Sequence, residues 1–176
     1  MRDFFERITS DHAKLEEVVR MVPGFKGYLE KMDRREADRM LREHIARVME
    51  EQRGEFDRLK KKLVDASGLT HMEKTQSVDS KLQSFIDRVR SAGSGDIKLM
   101  EAAAINSDKV DRIYGFDMAL MGYVEQFKVG LGQLGEVAAS GEGVGGVLEQ
   151  LDAVLTEANN AWKGRSEALV GSQESV

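Results

Sequence analysis

"VDRIYGFDMALMGYVEQFKVGLGQL", residues 110–134, decides the fold of this chain. Val110, Ile113, Asp117, Leu120, Val124, Phe127, Leu131 and Leu134 follow at intervals of 3, 4, 3, 4, 3, 4 and 3. That is the repeat of a helix burying one continuous stripe against a neighbour. Every member except Asp117 is apolar. Beyond the glycine-rich "ASGEGVGG" of residues 139–146 the pattern returns in Leu148, Leu151, Leu155, Ala158, Trp162, Arg165 and Leu169. Here Arg165 is the one strongly polar member.

Two such seams joined by a glycine-rich turn form an antiparallel hairpin, in which facing residues have numbers with a constant sum. Leu134 opposite Leu148 sets that sum at 282, and Asp117 with Arg165 gives the same value. An isolated buried charge is very costly, whereas a hydrogen-bonded carboxylate and guanidinium offset much of the desolvation and can fix register. Arginine also suits bidentate pairing. Asp117 and Arg165 are therefore expected as a structural ion pair, with Arg34, Arg35, His44, Lys109 and Arg112 as alternative partners or neighbours. A general acid or base at Asp117 would require a pocket and further convergent groups, and the sequence identifies none.

"GLGQLG" at residues 130–135 has the spacing of a dinucleotide-binding fingerprint. That motif works only between a buried strand and a following helix, where the tight turn and the helix N-terminus create the phosphate site. Here Leu131 and Leu134 continue the helical seam, and no segment reads as a parallel strand. The glycines are expected to loosen a helix end just before the turn, as a hinge between the last two helices.

Upstream, a long helix is expected from about Tyr28 to Ser67. Its apolar positions are Leu41, Ile45, Val48, Phe56, Leu59 and Leu63, with Gln52 filling the missing step and Gly68 as the stop. At the standard rise it would extend ~55–60 Å. A third helix carries Met72, Leu82, Phe85, Ile86 and Val89, and "SAGSGD" at residues 91–96 ends it. A further segment starts at Ile97, with a break near Asn106 and Asp108. Residues 1–22 set Phe4, Phe5, Ile8, Leu15, Val18, Val19 and Val22 at mostly helical spacing. "VPGFKGY" then breaks the helix at the single proline and offers Phe25 and Tyr28 as a partner-docking loop or a plug for the bundle end.

These elements imply an all-α fold, an elongated antiparallel helical bundle of four to five helices with coiled-coil-like packing. Residues 1–170 form one domain and residues 171–176 a frayed tail. The 176-residue composition agrees, with 41% hydrophobic and 32% charged residues, one proline and no cysteine. Without cysteine there is no disulfide, thiolate ligand or cysteine nucleophile. No segment approaches the ~20 apolar residues of a membrane span, and a cytoplasmic protein is expected.

The net charge of -5 is unevenly spread: residues 31–64 carry eleven basic and eight acidic side chains, residues 101–176 five and twelve. The basic block is too interleaved with acids to form a nucleic-acid stripe. His12, His44 and His71 are scattered, and none follows a glutamate by three residues as in di-iron bundles. Zinc-protease, P-loop and serine-hydrolase signatures are missing too, so no metal, cofactor or catalytic residue is assigned.

"VPGFKGYLEKMDRREADRMLREH" at residues 22–44 and "RIYGFDMAL" at residues 112–120 resemble a group of uncharacterised bacterial all-helical proteins. In these a glycine- and aromatic-containing loop precedes a charged RREAD-type helix. The resemblance covers a minority of the chain and implies a helical fold without an attached activity.

The resulting expectation is a non-catalytic interaction or scaffold module that binds a protein partner or itself. The alternatives are a peripheral membrane bundle anchored through its first helix, and a ligand-binding protein or enzyme centred on Asp117. In "MRDFFERI" the acids Asp3 and Glu6 cancel Arg2 and Arg7, which favours packing of Phe4, Phe5 and Ile8 into the bundle over lipid contact.

Overall fold

A computed structural model describes residues 34–92 and 107–170, all helical apart from short turns and ends. Four helices are described: α1 Arg34–Ser67, α2 Met72–Ser91, α3 Ser107–Val137 and α4 Val144–Val170. The expected helix over residues 1–22, the Phe25 and Tyr28 loop, His12, the start of the segment at Ile97 and the tail lie outside the described residues. None of the described helices is long and apolar enough to cross a membrane.

Glycine sets both described turns. Gly68 adopts φ 60° and donates its N–H to the Val64 carbonyl at 2.9 Å, closing α1 in the left-handed conformation that glycine enters without penalty. At the second turn Gly141 and Gly143 have φ 76° and 79°, and Gly141 N–H returns to the Val137 carbonyl at 3.0 Å. Each turn folds its two helices into an antiparallel hairpin.

The hairpins pack side by side, so that α1 lies against α2 and α3, while α4 lies against α2 and α3. Lys74 meets Glu149, Lys81 meets Asp152 and Arg88 meets Asn159, so α2 and α4 run in the same direction. Gln52 reaches the Val124 carbonyl and Leu59 lies beside Gly135, so α1 and α3 are parallel as well. Neighbours are thus antiparallel within a hairpin and parallel between hairpins.

The described seam positions of α3 from Leu120 to Leu134 and of α4 from Leu148 to Trp162 are all buried. They form one continuous core with Ile45, Met49 and Phe56 of α1 and Val78, Leu82 and Phe85 of α2. Two details depart from the sequence reading. Met49, 1% exposed, takes the deep position on α1, while Val48 is half-buried on its α3 flank. A helix packed against two neighbours buries a wider face than a single stripe, and Ala46 and Met49 belong to that wider face. On α2 the stripe starts at Val78, not Met72, which sits in the exposed first turn.

Surface electrostatics joins the hairpins on one side. Lys81 Nζ donates to Asp152 Oδ2 at 2.6 Å and to Thr156 Oγ1 at 2.8 Å, and Ser77 donates to Asp152 Oδ1 at 2.6 Å. On the α1 side Lys60 bridges Asp57 and Asp79, and Arg90 pairs with Glu50.

Candidate functional site

The hairpin register brings Asp117 and Arg165 together. Arg165 Nε donates to Asp117 Oδ1 at 2.6 Å, with the arginine fully buried and the aspartate 6% exposed. Trp162, one helical turn earlier on α4, lies under the guanidinium at 5.3 Å from ring centroid to Cζ. Such a face contact adds quadrupole attraction to the ion pair and is strengthened by desolvation. Beside them the Phe116 ring covers Gly164 so closely that a Cβ there would approach Cε1 to 2.8 Å. A carboxylate held this way is fixed by its partner and withdrawn from water, an arrangement suited to setting register.

"GLGQLG" is helical throughout, inside α3, with no positive φ at Gly130, Gly132 or Gly135. Among the described residues no strand precedes it. Its glycines face different surroundings: a Cβ on Gly130 would come within 2.6 Å of Leu151 Cδ2, whereas one on Gly132 would meet nothing. Gly130 therefore serves close approach of α3 to α4, a role that seam periodicity alone does not distinguish from a loosened helix end.

Two grooves flank α3 on the outside of the bundle. The one shared with α4 is lined by Gln126, Val129, Gly130 and Gln133, and opposite them Gln150 and Val154. Val129 is 54% exposed there, and Glu125 at the edge pairs with Lys128 on its own helix. Nearby Tyr123 is half-buried, and burial with the Glu157 carboxylate holds its hydroxyl above the usual tyrosine value. The second groove, shared with α1, runs past Val48, Gln52, Leu131 and Gly132. In contrast, the surface pairs that cross between helices among the described residues involve α2.

No group of three or more histidine and acidic side chains positioned for a metal ion occurs among the described residues. His44 is partly buried on α1 beside Arg47, with Arg47 Nη2 3.2 Å from its Nδ1. His71 precedes α2 and lies near Gly145 at the second turn.

Comparison with protein-family models, curated proteins and solved structures finds no match for this chain.

Proposed function

We propose that the chain is a non-catalytic helical-bundle protein of the cytoplasm, related to the RREAD-type bacterial proteins, that works as a protein-interaction or scaffold module. The outer α3–α4 groove is the surface it uses. The observation that carries this reading is Val129, a large apolar side chain 54% exposed in a groove whose other lining residues, apart from Glu125, are uncharged. Away from Glu125, a groove of apolar and amide side chains between two paired helices suits a partner helix presenting small and apolar side chains, because docking there desolvates no ion pair that crosses between the helices. The burial of Asp117 against Arg165 supports a register-setting role for that pair over proton transfer.

The test is paired capture with the full chain and its Val129→Glu variant, followed by binding measured between purified components. A partner held by the wild type and lost by the variant, with the melting temperature unchanged, supports the reading. Equal binding by both chains removes the groove from it. Sedimentation of the same two proteins over a concentration series reports whether the partner is a second copy.

A further inference from the structure

The α1–α3 groove carries opposite charge on its two walls. Glu51 and Glu55 stand on the α1 wall and Lys128 on the α3 wall, and Val48, Leu131 and Gly132 line the groove with them. All three charged side chains are exposed. Among the described residues each is paired only along its own helix, Glu51 with Arg47 and Glu55 with Arg58 at 2.7 Å, and Lys128 with Glu125 at 3.7 Å. Exposed pairs of this kind hold their members weakly, so the charges remain open to a surface that approaches the groove.

The two walls are also in step. Gln52 reaches the Val124 carbonyl, and Leu59 lies beside Gly135, so on the parallel helices Lys128 stands level with Glu51 and Glu55. A second copy can face this groove about a two-fold axis running along the helices or across them. At this level the crosswise axis sets each wall against itself, glutamates against glutamates and lysine against lysine. The lengthwise axis keeps the level and exchanges the walls, so that Glu51 and Glu55 of each copy meet Lys128 of the other. Such reciprocity is what a two-fold interface requires, and complementary charge selects this orientation over the crosswise one.

We propose that the chain pairs with a second copy of itself through the α1–α3 groove, about a two-fold axis along the helices, with Lys128 of each copy set against Glu51 and Glu55 of the other. This surface is separate from the α3–α4 groove. Its size is adequate: α1 has 34 residues and α3 has 31, and side by side they offer a face about 45 Å long and about 20 Å wide. That is about 900 Å² per copy, comparable to the roughly 800 Å² per partner of a standard specific interface. At Gly132 nothing lies within 4 Å of where a Cβ would stand, which leaves room for the approaching helix.

Sedimentation equilibrium of the full chain over a concentration series should show a dimer. Lys128→Glu, and separately Glu51→Lys with Glu55→Lys, should each raise its dissociation constant about tenfold or more, because each makes the two walls alike in charge. Mixing the two variants places opposite charges across both contacts again and should restore a heterodimer. The three positions are exposed, so circular dichroism of the variants should match that of the wild type. Val129→Glu should leave the dimer intact. A wild-type chain that is monomeric at every concentration overturns the proposal, as does a dimer indifferent to both charge changes or a mixture that stays monomeric. Loss of the dimer in Val129→Glu overturns it too, assigning self-association to the α3–α4 groove.

Discussion

Arg165 donates from Nε to Asp117 Oδ1 at 2.6 Å across the α3–α4 interface, and the two positions are the polar members of otherwise apolar seams. The charge pair thereby selects one alignment: sliding the hairpin by a helical turn would leave both ions buried against apolar side chains. Asp117→Leu alone should destabilise the protein by about 3–5 kcal/mol, because it removes the carboxylate to which a fully buried guanidinium donates. Replacing both, Asp117→Leu with Arg165→Met, should recover most of that loss. Urea unfolding of the two single variants and the double variant measures the coupling, and equal midpoints for wild type and Asp117→Leu would contradict the register role.

The glycines of α1 and α3 make opposite predictions. Gly130→Ala drives a methyl to 2.6 Å from Leu151 Cδ2, in a core where Leu151 is 1% exposed, so the hairpin must separate or Leu151 must leave its rotamer. A loss of about 1–3 kcal/mol is expected. Gly54 sits exposed in the middle of α1 with open space where its Cβ would be, so Gly54→Ala should gain up to about 1 kcal/mol from helix propensity. Thermal denaturation of both variants against wild type tests the contrast, and a shift of the same sign in both would refute it.

The hairpin was legible because seam spacing and turn length together define a register, and that register places Asp117 opposite Arg165. The role of Gly130 was not, since spacing along one helix does not reveal how closely another approaches. Nor did periodicity separate Met49 from Val48, because α1 contacts two neighbours and buries parts of two rows. Parallel packing between the hairpins arises from pairs far apart in the chain, Lys81 with Asp152 and Gln52 with Val124, which carry no local signature. The grooves beside α3 were similarly hidden: Val129 reads as an ordinary helical residue until its neighbours on α4 are known.

Asp152 couples the α2–α4 contact to acid. Burial opposes ionisation of its carboxyl, but hydrogen bonds from Lys81 and Ser77 outweigh that effect and hold it below its ordinary value of 3.8. The folded state therefore binds this proton less readily than the unfolded chain. The associated stability is complete above 3.8 and is lost as pH falls through the lower folded value. Lys81→Met should raise the Asp152 carboxyl pKa, as followed by carboxyl carbon shifts in an acid titration. An unchanged Asp152 titration in the variant would rule out Lys81 as the controlling donor.

His44 gives a separate pH dependence nearer neutrality. Burial, followed by the Arg47 charge, lowers its pKa below 6.5, while Glu51 acts in the opposite direction. The unfolded chain consequently binds more protons than the folded protein between the folded value and 6.5, so in that interval stability rises with pH. The contribution is complete above 6.5 and is lost as pH falls through the folded value. Imidazole carbon signals should titrate with a midpoint under 6.5, and Arg47→Gln should move that midpoint upward by removing a positive neighbour. His44→Gln should flatten the corresponding part of the stability profile measured by urea unfolding at successive pH values. A His44 midpoint at or above 6.5 in the folded wild type would refute the assignment, since neither burial nor Arg47 could then dominate.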